Sequence, residues 1–218
     1  LDWALRIASN QSVLEKPLGQ HNVRVVYVAS EGANGVRKRV AAWRDAHPQV
    51  RDCAFEMIGE APDLRDTDDI GDLLTELRAA SAELSARGQR LGLIVIDTLA
   101  ASMPGGNEND GSDMSMLLAH VQRIGKDLGA LVLIVSHTGK IEERGLRGWS
   151  GQFAGADVVI MLTREEGAAL RVGEVKKQKD AEAGERFAFT LSQAVIGRDE
   201  DGDEITSALV TYAEAPAA

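Results

Sequence analysis

Leu91-Gly-Leu-Ile-Val-Ile-Asp-Thr98 is a run of aliphatic residues that ends abruptly in one carboxylate, Asp97. A run this short and this apolar reads as a strand covered on both faces, the kind found in parallel sheets. A carboxylate at the carboxyl end of such a strand sits where open α/β sheets bind ligands. It has the character of a Walker-B aspartate, which holds the hydrated Mg²⁺ of a nucleotide hydrolase. The rival reading is plain, since many α/β strands end in Asp as a helix cap or turn residue. The neighbouring stretches must decide between them.

Upstream, Val23-Arg-Val-Val-Tyr-Val-Ala29 is a second strand, and it runs into Ser30-Glu31-Gly32. Residues 34–47 read as a helix with Val36, Val40 and Trp43 on one face, ended before Pro48. Phe55-Glu-Met-Ile58 is a short strand. The acidic loop 60–69 leads into a helix over 70–87, where Ile70, Leu73, Leu74, Leu77 and Leu84 keep the 3.6-residue period and Gly88 stops it. Each strand is followed by a helix and then another strand. That alternation predicts an α/β fold with a parallel sheet and right-handed crossovers.

Downstream, residues 101–112 read as a flexible loop rich in Gly, Asn, Asp and Glu, just past the proposed phosphate edge. A helix over 113–128 presents Met116, Leu117, His120, Val121 and Ile124 along an apolar face. Leu131-Val-Leu-Ile-Val135 is a further buried strand, and it too ends in polar residues, Ser136-His137-Thr138. Stretches 157–162, 169–175 and 186–191 read as strands with short, hairpin-like connections. The tail from 199 to 218 is acidic, with one weak strand over 205–212.

Composition bounds the function. The 218 residues carry a net charge of −10, with 44% hydrophobic and 27% charged residues, an ordinary globular balance. Cys53 is the single cysteine, so neither a disulfide framework nor a multi-cysteine zinc site is available. The apolar runs are too short to span a bilayer and no basic-then-apolar leader opens the chain, so a cytoplasmic location is the default expectation. An acidic chain is no general nucleic-acid coat, although a local basic loop can still touch DNA. Basic residues do cluster, at Arg37-Lys-Arg39, from Lys140 to Arg147, and at Lys176-Lys-Gln-Lys179. Solvated faces and loops are the plain reading of such clusters, above all the first.

Three strands thus end in a polar group aimed at one edge: Glu31, Asp97 and His137. A nucleotide hydrolase needs one carboxylate for its metal and another to orient or deprotonate the attacking water. It also benefits from a polar residue that senses the γ-phosphate.

With these residues in view, the chain resembles the RecA-like ATPase core of hexameric replicative helicases. It is most similar to the RepA-type plasmid and phage members, and more distantly to DnaB-type helicases and RecA. The matching segments are Val25-Val-Tyr-Val-Ala-Ser-Glu-Gly32, Ile94-Val-Ile-Asp-Thr98, Gly129-Ala-Leu-Val-Leu-Ile-Val-Ser-His-Thr-Gly-Lys140 and Lys176-Lys-Gln-Lys-Asp180. The resemblance implies a RecA-like core over 1–198, with C-terminal antiparallel hairpin strands and an acidic tail over 199–218.

It also implies roles. Glu31 matches the general base for the hydrolytic water; the alternative is an exposed loop carboxylate favoured by the helix N-terminus behind it. Asp97 matches the Mg²⁺ carboxylate, and with Thr98 it belongs to the ATP-binding segment. His137 matches the γ-phosphate sensor, its alternative being a satisfied interior histidine. Lys177 and Lys179 match a basic pair that reaches a neighbouring subunit's nucleotide and neutralises developing charge. Many relatives have Arg where Lys179 stands, and a lysine offers a point charge in place of a bidentate fork. A basic edge strand that resists aggregation explains the same pair.

Lys140, Arg144 and Arg147 correspond to a segment facing the ring's channel, where they could meet the phosphates of single-stranded DNA. Over residues 139–155 these three cations oppose only Glu142 and Glu143, a local balance of +1. Trp149 could stack on a base or anchor the loop. The partners implied are single-stranded DNA, further copies of the chain in a hexameric ring, and other replication proteins. Two alternatives share the residues. One is a RecA-like ATPase of recombination or replication regulation that does not unwind. The other is a non-catalytic DNA-binding or assembly module that has lost its phosphate loop.

One element is missing from the sequence. No Gly-x-x-x-x-Gly-Lys-[Ser/Thr] occurs in the 218 residues, and Gly32-Ala-Asn-Gly35 lacks the lysine and follows the wrong strand. Leu1-Asp-Trp-Ala-Leu-Arg-Ile-Ala8 has helical spacing without a cap. The expectation is that the chain starts just after the phosphate loop and that these residues alone bind ATP poorly.

Overall fold

The computed structural model describes residues 1–19, 22–137 and 155–216. In order they form α1 (Asp2–Ala8), β1 (Val23–Ala29), α2 (Ala33–Ala46), β2 (Phe55–Ile58), α3 (Thr67–Ala86) and β3 (Arg90–Asp97). A 3-10 turn (Ala100–Ser102), α4 (Gly111–Leu128), β4 (Leu131–Val135), β5 (Val158–Thr163), β6 (Arg171–Gln178), β7 (Arg186–Arg198) and β8 (Glu204–Ala213) follow. The chain divides into two units. The first holds residues 3–33 and 51–137 with Leu1, and the second holds Asp2, residues 34–50 with all of α2 but Ala33, and the strands from β5 onward.

In the first unit the sheet order is β2-β1-β3-β4, and every neighbouring pair is parallel. This is the α/β architecture that the alternation of elements predicts. Both central strands are buried nearly throughout, as their largely apolar sequences require, with Arg24 the one charged residue inside β1. One face carries Val26 and Val28 of β1 with Ile94 and Ile96 of β3. Against it pack Ile70, Leu73, Leu74 and Leu77 of α3 and Met114, Leu117, Val121 and Ile124 of α4.

Gly92 explains how Leu91 joins that face as well. The pairing register of β1 and β3 slips between Arg24 and Val25, opposite Gly92. A Cβ at Gly92 would stand 2.8 Å from a methyl of Val23, so only glycine admits the close approach. The extra residue resets the alternation and sends Leu91 and Ile94 to the same side.

Both long helices start earlier than the apolar period suggests. Asp66 caps α3 by accepting from the N–H groups of Asp68 and Asp69, and Asp110 caps α4 by accepting from Ser112 and Asp113. The expected face of α4 needs one correction. Met116 is 48% exposed, and Met114, a little over half a turn earlier, takes the core position. Truncation should separate buried Leu117 from exposed Met116 by energy. Leu117→Ala, at a fully buried site, is expected to cost about 2–5 kcal/mol in urea unfolding. Met116→Ala should stay within about 0.5 kcal/mol; equal losses would contradict this packing.

The second unit is built on an antiparallel sheet in the order β5-β6-β7-β8. Gly173 on β6 lies opposite Phe187 on β7, and a Cβ there would collide with the phenyl ring at 2.1 Å, so the ring fills the place of the missing side chain. β7 continues to Arg198 beyond its pairing with β6 and forms a long ribbon with β8. In this unit Asp2 accepts from the Trp43 indole at 3.0 Å and from the Tyr212 hydroxyl at 2.6 Å. Val36, Ala42 and Trp43 are the buried residues of α2, with Val40 only half-buried. No described helix is long and apolar enough to cross a membrane.

Candidate functional site

Because β1, β3 and β4 run parallel, their carboxyl ends share one edge of the sheet. The ladder continues a step past the strands: the Ser30 N–H donates to the Asp97 carbonyl at 2.8 Å, and the Leu99 N–H donates to the Val135 carbonyl at 2.8 Å. These two bonds fix the backbone at the point where each strand turns polar. Residues Glu31, Asp97 and His137 follow directly from them.

Asp97 lies on the middle of the three strands and is partly buried. The hydroxyl of Tyr27 donates to its Oδ2. Glu31 and His137 come from the strands on either side of β3, and His137 Nε2 lies 3.9 Å from Glu31 Oε1. Their side chains are 57% and 76% exposed, so this contact is open to solvent. The edge thus brings together a half-buried carboxylate and an accessible carboxylate beside an imidazole.

The loop after Asp97 is tied down rather than loose. Thr98 is buried, and its Oγ1 accepts from the Ala101 N–H at 3.4 Å, at the start of the 3-10 turn. Ser102 is fully buried, with its hydroxyl 2.7 Å from that of Ser30. Arg65 meets both oxygens of Asp63, donates to the Pro104 carbonyl at 2.5 Å and lies 3.6 Å from Asp113. Its bond to Asp63 raises the guanidinium pKa above its ordinary value.

The lysine pair belongs to the second unit. Lys177 Nζ donates to the Ala156 carbonyl at 2.7 Å, and Lys179 Nζ is 3.3 Å from Asp157 Oδ1. Lys140, Arg144, Arg147 and Trp149 lie outside the described residues.

Sequence reasoning did not find Tyr27, Ser30, Ser102 or Arg65. Only Tyr27 carried a usable sign: a phenol inside Val-Val-Tyr-Val must find a partner for its hydroxyl when the strand is buried.

Among the described residues no group of three or more His, Cys, Asp or Glu is gathered to hold a metal. A cage of protein ligands, of the kind Zn²⁺ or Ca²⁺ takes, is therefore not formed by them. A single hard carboxylate at a strand end suits Mg²⁺, which keeps several waters and binds through one or two carboxylates together with substrate phosphates. The donor set fits that ion.

Comparison with known proteins bears on the family and the fold. The sequence model of a family described as "AAA domain" matches residues 1–143. No curated protein matches the sequence. Among solved structures, the crystal structure of the RadB recombinase superposes with a TM-score of 0.55 at 16% identity, over 78% of this chain and 76% of that one. At that identity the likeness concerns the fold, which is RecA-like.

Proposed function

This chain belongs to the AAA domain family, and from that premise we propose that it is the ATP-hydrolysing core of a ring-forming DNA motor of replication. The observation that carries the reading is the meeting of Glu31 and His137 across the end of the strand that bears Asp97. A stabilising role accounts poorly for that meeting, since exposed ion pairs contribute only about 0–1 kcal/mol.

In this reading each group has one task. Asp97 holds the hydrated Mg²⁺ that accompanies ATP, and that ion neutralises charge on the phosphates. Glu31 orients the attacking water and takes its proton. His137, within reach of Glu31, hydrogen-bonds the γ-phosphate and passes its presence to the segment that follows. Lys177 and Lys179 act on the nucleotide of a neighbouring subunit in a hexameric ring, and Lys140, Arg144 and Arg147 meet single-stranded DNA. The setting is cytoplasmic. The 218 residues contain no phosphate-cradling lysine motif; the groups named here are those for the metal and the water.

The name of the structural neighbour, a recombinase, supports a second reading: the same hydrolysis without strand separation. One experiment addresses both. The protein at its full natural length is assayed for ATP hydrolysis with and without single-stranded DNA, and for displacement of a labelled strand. DNA-stimulated hydrolysis with displacement is the expected result. Stimulated hydrolysis without displacement favours the second reading, and no hydrolysis under any condition sinks both.

A further inference from the structure

Tyr27 is only 1% exposed, so its hydroxyl needs a partner inside the fold. Strand alternation supplies one. Tyr27 pairs with Val95 and Ala29 pairs with Asp97, so Tyr27 and Asp97 point to the same face, one diagonal step apart. A long aromatic side chain spans that step, and the hydroxyl donates to Asp97 Oδ2. On the other flank the ring meets Phe55 of β2, with centroids 5.8 Å apart. The donor is therefore held by a buried strand and by a neighbouring ring, and it reaches the carboxylate from a fixed direction. Among the described residues the other oxygen, Oδ1, accepts no hydrogen bond.

We infer that Tyr27 is the positioning residue of the site: it occupies one oxygen of Asp97 and turns the other toward the metal. The inference rests on the reading of Asp97 as the Mg²⁺ carboxylate. Hydrogen bonds from behind a ligand fix its orientation, and losing one typically weakens metal binding or activity about 10–100-fold. Tyr27 touches neither metal nor nucleotide; it acts through Asp97.

The test is Tyr27→Phe in the protein at its full natural length. It keeps the ring and its packing and removes one oxygen. Binding of Mn²⁺ in the presence of a non-hydrolysable ATP analogue is followed by electron paramagnetic resonance. The Mg²⁺ dependence of hydrolysis and urea unfolding are measured beside it. The metal Kd is expected to rise about 10–100-fold, with much of the lost turnover regained at high Mg²⁺. A variant that loses stability or turnover at an unchanged metal Kd overturns the inference and leaves Tyr27 a packing residue. Asp97→Asn separates the two levels. If it weakens Mn²⁺ binding while Tyr27→Phe does not, the positioning role alone fails. If it leaves Mn²⁺ binding intact, the metal reading of Asp97 fails and the inference falls with it.

Discussion

Asp97→Asn is expected to lower kcat for Mg²⁺-dependent ATP hydrolysis by about a thousandfold while the protein stays folded. The substitution conserves shape and removes one charge. The surrounding bonds accept it: the Tyr27 hydroxyl can donate to the amide oxygen of Asn as it does to the carboxylate. The backbone bonds from Ser30 to Asp97 and from Leu99 to Val135 involve no side chain. Stability should therefore change by no more than about 0.5 kcal/mol. Chemistry has no such substitute, because a neutral amide holds a divalent ion far more weakly. Metal-assisted charge stabilisation supplies several kcal/mol, and about 4 kcal/mol corresponds to a factor of roughly a thousand. Phosphate release at saturating ATP and Mg²⁺, measured beside urea unfolding, tests both halves. Near-normal turnover would return Asp97 to the rival reading, a turn residue at a strand end.

The elements were legible where one physical preference dominated. β1, broken only by Arg24, and the Leu91–Ile96 stretch of β3 are short, β-branched-rich apolar runs bounded by turn residues, which suit a strand covered on both faces. Helix starts were less legible, because the apolar period begins with the first core residue while the backbone turns helical at the cap, Asp66 or Asp110. β7 runs from Arg186 to Arg198, well past the expected end at 191. Its polar Ser192-Gln193 breaks the apolar pattern, yet the ladder persists because β8 pairs there and the turn closes through Asp199.

The candidate site was legible as three polar strand ends at one edge, but not the strand order or the distances among them. Which ends are neighbours depends on the strand order, and chain alternation with right-handed crossovers permits several orders. That β3 lies between β1 and β4 is a tertiary fact, and the closeness of Glu31 and His137 follows from it. The bond from Tyr27 to Asp97 spans 70 residues of sequence. Only the buried phenol hinted that such a partner exists.

Glu31→Gln carries the second large effect, and it separates catalysis from binding. The amide keeps size and polarity but cannot take a proton from water, so kcat is expected to fall by about 10²–10⁴. The affinity for ATP should change little, because Glu31 is assigned to the water and not to the nucleotide. Folding should be indifferent, since the side chain is 57% exposed and its contact with His137 is a solvated pair. His137→Ala extends the argument. If the two residues act on the same water and phosphate, their effects are not independent, and removing the second after the first should cost much less than removing it alone. Single-turnover hydrolysis by both single variants and the double variant supplies the cycle. Effects that multiply fully would mean that the 3.9 Å approach has no catalytic meaning. A Glu31→Gln variant with unimpaired single-turnover hydrolysis would remove the general base from this edge altogether. The Mg²⁺ carboxylate alone would then remain to be tested on Asp97.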